Sequence, residues 1–160
     1  MYNNKKVINA SPTEYNGIKF KSRLEVSCYK LLTEAGLNFT YESEKIVIWE
    51  GTRLKKTRYF RPSSKRNMTG LKEYNKILMN VTYTPDFVVT FGEYPNGYKF
   101  YIDVKGKEND VYPIKKKMFL KSIDTRNDSM NYMFFEPHNV NDIKQTISII
   151  KECIKNDNTR

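Results

Sequence analysis

Asp86, Asp103 and Lys105 are the side chains of this sequence best placed to do chemistry, because a predicted β-hairpin brings them together. Strand-forming residues predict strands over residues 84–91 and 98–105, joined by a loop rich in glycine, proline and asparagine. If the last residue of the first strand pairs with the first residue of the second, Asp86 falls opposite Asp103. Side chains alternate along a strand, so Lys105 lies on the same face as Asp103.

This arrangement of carboxylates is costly unless something binds to it. Opposed like charges destabilise a β-ladder, and the neighbours Phe87 and Ile102 indicate partial burial, where an unpaired carboxylate costs more. A divalent cation with oxygen ligands would remove the conflict, whereas one lysine facing two carboxylates leaves a surplus of negative charge. The alternative is a hairpin in which Asp86 is a solvated turn residue and Asp103 and Lys105 form a surface pair.

The composition indicates one globular domain that binds a polyanion. The chain has 160 residues, of which 39% are hydrophobic and 14% aromatic, so a sizeable core is expected. Its formal net charge of +10 favours nucleic acid over an anionic membrane as the partner. No apolar run is long enough to span a bilayer, and the amino-terminal residues do not resemble a signal peptide, so we expect a cytoplasmic location.

The cysteines and the single histidine offer little further chemistry. Cys28 and Cys153 are far apart, lie in helical patterns and lack metal-site spacing, which predicts buried thiols in a reducing compartment. His138 is the single histidine and lies in a predicted loop, so the sequence gives little support to histidine-dependent catalysis.

A predicted helix carries one more acidic residue toward the core. Ser22 and Glu25 fit a capping box, an apolar stripe follows at helical spacing, and Gly36 marks the end of the helix. A capping role alone would explain a glutamate at this position. A polar arm over residues 1–14 precedes the helix, and one long strand is predicted over residues 39–49.

The carboxy-terminal half alternates helices with a strand. Helices are predicted over residues 111–122 and 140–155, with a strand over residues 130–135 between them. The last helix has a stripe of isoleucines that belongs to the core or to a subunit interface. The fold class expected from this order is α/β, a mixed sheet flanked by helices.

The segment 51–80 is a basic insertion in the single predicted domain. Glu73 is its one acidic residue, and Tyr59, Phe60 and Tyr74 lie among its cations. Basic residues with aromatics suit the backbone and exposed bases of nucleic acid, whereas a solvated loop that only adds solubility usually mixes charge signs. The predicted DNA-binding residues in it are Arg53, Lys55, Lys56, Arg58, Arg61, Lys65 and Arg66, to which Lys107, Lys115 and Lys116 add three lysines that follow the hairpin.

Two groups of residues resemble a known nuclease family. Pro85-Asp86 followed by Asp103-Val104-Lys105 resembles the PD-(D/E)xK nuclease signature. The segments 20–25, 31–32, 36–39 and 41–42 resemble the first helix and strand of the phage-encoded endonuclease I family of Holliday junction resolvases. The segments 83–87 and 105–106 resemble the core of the same family. The similarity covers roughly residues 18–50 and 82–125.

The resemblance implies a fold, a site and a location. It implies a PD-(D/E)xK core in an intertwined, domain-swapped homodimer, encoded by a phage and acting on branched DNA in the infected bacterial cytoplasm. Glu25, Asp86 and Asp103 match the family's acidic metal ligands, the carbonyl group of Val104 is a further ligand, and Lys105 matches the catalytic lysine. Asp103 stands where the compared resolvases carry glutamate, and the basic insertion is longer than the family's linker.

The activity that follows is metal-dependent hydrolysis of DNA phosphodiester bonds, with four-way junctions as the substrate. Mg²⁺ is the expected cofactor, Mn²⁺ is expected to substitute, and Ca²⁺ is expected to bind without turnover. Two alternatives stay open: a basic DNA-binding module on a nuclease fold without catalysis, and a restriction-type endonuclease that cuts plain duplex.

Overall fold

A computed structural model of the chain describes residues 12–62, 70–93, 96–106 and 110–157. The strands in these residues are β1 (Thr13–Tyr15), β2 (Ile18–Phe20), β3 (Phe39–Tyr41), β4 (Ile46–Trp49), β5 (Phe60–Pro62), β6 (Leu71–Glu73), β7 (Val81–Tyr83), β8 (Phe87–Phe91), β9 (Tyr98–Ile102) and β10 (Asn131–Phe135). The helices are α1 (Arg23–Glu34), α2 (Tyr112–Asp124) and α3 (Val140–Asp157). No helix among these residues is long and apolar enough to cross a membrane.

A four-stranded mixed sheet lies at the centre of the fold. Its strand order is β10-β9-β8-β3, with β10 parallel to β9 and the other neighbours antiparallel. The predicted hairpin register is confirmed, since Phe91 pairs with Tyr98 and Phe87 pairs with Ile102. Both strands are shorter than predicted, because the ladder ends there, one residue before Asp86 and Asp103 would oppose each other.

Helices cover both faces of this sheet, which confirms the α/β class. Phe87 and Val89 of β8 pack with α1 and α3, whereas Val88 between them packs on the opposite face with Phe119 of α2. Successive side chains of β8 thus pack into two cores, one on each face of the sheet. The isoleucine stripe of α3 belongs to the first core, since Ile143, Ile147 and Ile150 are buried and Ile154 packs against them, as the helical spacing predicted.

The first helix begins and ends as predicted. Ser22 is the N-cap, and its hydroxyl accepts a hydrogen bond from the backbone N–H of Glu25. Gly36 follows the C-cap with a φ of 69°, a left-handed conformation that glycine adopts at little cost. Both cysteines are free thiols; Cys28 of α1 is fully buried, as expected, whereas Cys153 is only partly buried.

The long strand predicted over residues 39–49 is wrong. The segment forms two short strands in different sheets, because Glu42 takes a φ of 46° and turns the chain between them. The strand β3 pairs with β8 in the central sheet, whereas β4 pairs with β7.

The described part of the basic insertion is a two-stranded antiparallel β-ribbon. It continues from the β4–β7 pair through a bridge between Thr52 and Leu78 and then through the β5–β6 pair. Between the bridge and the β5–β6 pair, the N–H of Tyr74 donates to the carbonyl group of Tyr59 at 2.7 Å. The ribbon leaves the domain beside the strand β7, which ends three residues before Asp86.

A small hairpin precedes α1 and was not predicted. The strands β1 and β2 pair through a two-residue turn, Asn16-Gly17, in which both residues have positive φ angles of 54° and 76°. The strand β1 begins at Thr13, so the predicted arm over residues 1–14 ends in regular structure, and residues 1–11 lie outside the described part.

Candidate active site

The backbone of neighbouring strands places both aspartates at one end of the central sheet. Asp86 immediately precedes β8 and Asp103 immediately follows β9, its antiparallel neighbour. The N–H of Asp103 donates to Phe135 O at 2.9 Å, and the N–H of Lys105 donates to Pro137 O at 3.0 Å. On the other side, Asp86 O accepts from the backbone of Glu42 at 2.8 Å, so the backbone on both sides of the site is held by neighbouring chain.

The two aspartate side chains are buried and adjacent. Asp86 is 5% exposed and Asp103 is 2% exposed. The Oδ2 atom of Asp86 accepts the backbone N–H of Val104 at 2.8 Å, and the charge of Asp103 acts on the Asp86 carboxyl group. The structure therefore favours the buried, opposed carboxylates over the alternative of a solvated turn residue and a surface pair.

Burial and mutual repulsion make Asp86 a weak acid. Loss of solvent raises the pKa of Asp86, the charge of Asp103 raises it further, and Lys105 acts in the opposite direction. The resulting pKa is about 8, so near neutral pH this site holds a proton unless another cation takes its place.

The ammonium group of Lys105 is directed back onto this pair. Its Nζ atom lies 2.9 Å from Oδ1 of Asp103 and 4.6 Å from the centre of the Tyr112 ring. A carboxylate on one side and an aromatic face on the other confine the amine to one position. Lys105 is only 21% exposed in its side chain, so its charge acts within the site.

Two tyrosines that the sequence analysis missed support Asp103 and Lys105. The hydroxyl of Tyr83 donates to Oδ2 of Asp103, and that of Tyr112 donates to Glu136. Burial raises the pKa of Tyr83, and the charge of Asp103 raises it further, so Tyr83 stays protonated as a donor. Its position directly before the Thr84-Pro85-Asp86 run was the one signal in the sequence.

Glu25 joins the site from the first turn of α1. Its Oε2 atom accepts from the hydroxyl of Tyr41 at 2.7 Å and from the N–H of Lys21 at 3.0 Å, and Oε1 accepts from Ser22 Oγ at 2.9 Å. Glu25 is 5% exposed, and its charge contributes to the raised pKa of Asp86. The capping role and the site role therefore coexist in one side chain.

The donor set suits a hard divalent cation, although protein groups engage each carboxylate. In the described ranges, no three Asp, Glu, His or Cys side chains are grouped closely enough to hold a metal ion. Tyr41 donates to Glu25, and Tyr83 and Lys105 donate to Asp103. Two buried carboxyl groups still face one lysine, and carboxylate oxygens are the ligands that Mg²⁺ prefers, so these residues fit the ion.

The predicted DNA-binding residues fall into different settings. Arg58 forms two hydrogen bonds to Glu73 at 2.9 and 3.0 Å, whereas Arg61 lies over the ring of Tyr74 at 4.7 Å. Arg53, Lys55 and Lys56 line an open cleft of about 340 Å³ in the ribbon. Lys65, Arg66 and Lys107 lie outside the described residues.

The two predicted lysines of α2 make contacts within the domain. The Nζ atom of Lys116 lies 2.7 Å from Glu136, and Lys115 donates to the carbonyl group of Thr82 at 3.3 Å. Lys116 therefore lies at the edge of the candidate active site rather than on the ribbon.

A family model matches most of the chain. It covers residues 2–136, which include the ribbon and all four predicted catalytic residues, and it carries the description "Protein of unknown function (DUF1064)". Comparison with curated proteins found no match, and comparison with solved structures found none either. The chain therefore belongs to the DUF1064 family, whose description assigns no activity.

Proposed function

We propose that this chain is a metal-dependent endodeoxyribonuclease that hydrolyses phosphodiester bonds, with four-way DNA junctions as its substrate. One observation supports this proposal above the others: the buried pair Asp86 and Asp103 meets Lys105 at the end of two antiparallel strands, with Glu25 beside it. The proposed core is of the PD-(D/E)xK type, in which this set of residues performs hydrolysis.

Asp86, Asp103 and Glu25 would hold Mg²⁺, with the carbonyl group of Val104 as a further ligand. When bound, the ion would neutralise charge on the phosphate and lower the pKa of a water molecule, the usual roles of a metal in such hydrolysis. The hydrogen bonds to these carboxylates hold them in place before any substrate arrives, which reduces the reorganisation needed during the reaction.

The side chains of the protein supply orientation and positive charge. Lys105 presents an ammonium group that can stabilise negative charge on the scissile phosphate or orient the attacking water. Asp103 and the Tyr112 ring confine this amine, and Tyr83 fixes the other oxygen of Asp103. No covalent intermediate with the protein is required.

The test is a cleavage panel with a four-way junction, plain duplex, a flap and a single strand in Mg²⁺. Asp86→Asn, Asp103→Asn and Lys105→Ala should each lower cleavage by about 100-fold or more, with DNA binding retained. Asp124→Asn, an exposed aspartate of α2, is the matched control and should cut at the wild-type rate. A folded Lys105→Ala variant that cuts at the wild-type rate would remove Lys105 from the mechanism.

The metal requirement separates this proposal from the alternatives. Mg²⁺ or Mn²⁺ should support cleavage, and Ca²⁺ should permit binding with little turnover because its coordination geometry is looser. DNA binding without cleavage under any metal would favour the non-catalytic module. Cleavage of plain duplex at one sequence would favour the restriction-type enzyme, and full activity in chelator would contradict the site.

A further inference from the structure

The two faces of the β-ribbon carry different chemistry. Cα pairing sets Phe60 opposite Glu73 on one face and Arg61 opposite Lys72 on the other. Because side chains alternate, Tyr59 and Tyr74 share the face of the second pair, and their rings are in contact at 5.5 Å: we call this set, Tyr59, Arg61, Lys72 and Tyr74, the basic face.

The opposite face neutralises its own charge. Arg58 lies on it, bonded to Glu73 through two atoms and placed over the ring of Phe60 at 5.0 Å. The only acidic residue of segment 51–80 is thus committed to the face that lacks Arg61 and Lys72. Arg61 and Lys72 lie directly opposite each other on the basic face, so one phosphate could reach both cations.

We propose that the basic face docks into the major groove of duplex DNA, with Arg61 and Lys72 on backbone phosphates. A two-stranded ribbon has a width that the major groove of about 12 Å admits, whereas the minor groove of about 6 Å does not. This proposal rests on the proposed function for its choice of DNA, and it adds that the contacted part of the substrate is a double-stranded arm.

The arrangement of the tyrosines favours a duplex over a single strand. Single-strand sites offer open aromatic faces on which bases stack. Here the rings of Tyr59 and Tyr74 meet edge to face at 66°, and the guanidinium of Arg61 lies over Tyr74. These contacts occupy ring faces and hold Arg61 in place, which suits contact with phosphate rather than base stacking.

The test is the salt dependence of binding, measured in chelator so that no cleavage occurs. Fluorescence anisotropy would follow a labelled 20-base-pair duplex, the matching single strand, and a duplex RNA whose narrow major groove excludes a ribbon. The double variant Arg61→Gln/Lys72→Gln should bind duplex DNA more weakly, and its log–log salt slope should fall by about 0.9 for each lost phosphate contact.

Two control variants distinguish the effect of the basic face from the effect of losing positive charge elsewhere. Arg58→Gln/Glu73→Gln alters the opposite face without changing net charge and should lower the slope by less than Arg61→Gln/Lys72→Gln does. Lys144→Gln/Lys151→Gln removes two exposed charges from α3 and should reduce the slope by less than half as much. Circular dichroism and thermal melting would verify that each variant is folded.

The results bear separately on the two proposals. Duplex binding that depends on the basic face, without any cleavage in Mg²⁺, would support the ribbon and overturn the nuclease. Cleavage with an unchanged slope in Arg61→Gln/Lys72→Gln would overturn the ribbon and leave the nuclease standing. Docking in the major groove would also be overturned if the wild type bound single-stranded DNA or duplex RNA at least as tightly as duplex DNA, and if the same variant lost that binding.

Discussion

Tyr83 controls one oxygen of Asp103 and belongs to no catalytic signature. Its hydroxyl is the donor to Oδ2, while Lys105 approaches Oδ1, so Asp103 is held from two sides. Hydrogen bonds to charged groups contribute about 1.5–3 kcal/mol, and their loss leaves a buried carboxylate oxygen without its donor.

Tyr83→Phe should therefore lower the cleavage rate by about tenfold or more and raise the Mg²⁺ concentration that gives half-maximal cleavage. A titration of cleavage rate against Mg²⁺ would measure both. Tyr132→Phe is the matched control, because that hydroxyl bonds to Asp128 away from the site. Wild-type rate and metal dependence in folded Tyr83→Phe would contradict the role of this donor.

The raised pKa of Asp86 makes the stability of the metal-free protein depend on pH. Asp86 has a pKa of about 8 in the folded chain and about 4 when unfolded, so folding takes up a proton between these values. The contribution of Asp86 to the free energy of unfolding falls as pH rises through that window and is constant above it.

Asp86→Asn removes this titration. The free energy of unfolding of the variant, relative to wild type, should rise with pH by up to about 1.4 kcal/mol per unit between pH 5 and pH 8. Urea unfolding in chelator would measure it, with Asp124→Asn as a control that follows wild type. A difference between Asp86→Asn and wild type that does not change with pH would contradict the buried, protonated state.

Much of the site could be predicted from residues, but its supporting contacts could not. The pairing of Asp86 with Asp103 followed from strand alternation and one hairpin register, which are local properties. Tyr83, Tyr112 and Tyr41 reach the site through their hydroxyls, and the neighbouring residues in the sequence do not indicate what a tyrosine hydroxyl will contact.

At the scale of elements, the root of the ribbon depends on one glycine. A Cβ atom at Gly51 would lie 2.4 Å from Leu78 O and 2.8 Å from Oδ1 of Asn80, which also accepts the Gly51 N–H. The nearest of these atoms, Leu78 O, belongs to the backbone, so the clash cannot be relieved by moving the Asn80 side chain alone.

Gly51→Ala should lower the free energy of unfolding by about 1–3 kcal/mol and weaken duplex binding, because the ribbon strands separate at their root. Denaturant titration and anisotropy would measure the two effects. Gly106→Ala is the matched control, since its Cβ would meet no atom within 4 Å, and its stability should stay within about 0.5 kcal/mol of wild type. Equal stability of the two variants would contradict the tight root.

Element boundaries show where reading the sequence works and where it fails. The capping box of α1 and the isoleucine stripe of α3 are periodic signals within one segment. The break at Glu42 was missed because a non-glycine residue with a φ of 46° leaves no composition signal. The turn at Asn16-Gly17 had a signal, the usual dipeptide of a two-residue hairpin, but the flanking strands are only three residues long.

At the scale of the whole molecule, the described chain completes the site with its own Glu25. The intertwined dimer stays a prediction, and the connection over residues 42–45 between β3 and β4 is the hinge it would need. A closed chain and an exchanged dimer contain the same contacts, apart from this hinge. A two-fold dimer suits the symmetry of a four-way junction.

Mixing two inactive variants, Glu25→Gln and Asp103→Asn, tests the exchange. In an exchanged heterodimer one site collects both substitutions and the other collects none, so nicking of one strand should return without paired resolution. Co-expression with two affinity tags would isolate the heterodimer for a junction assay. A verified heterodimer that stays inactive would exclude the exchange while leaving the nuclease proposal standing.

Tyr83, the last residue of β7, connects the position of the ribbon with that of Asp103. No linker separates the inner end of the ribbon from the residue whose hydroxyl holds Asp103. Under the proposed function, a duplex that bends as it binds would displace the ribbon, and the displacement would reach the Tyr83 hydroxyl and then the Asp103 carboxylate. Under the proposed function, strain in a bound duplex would therefore change the position of the Asp103 carboxylate.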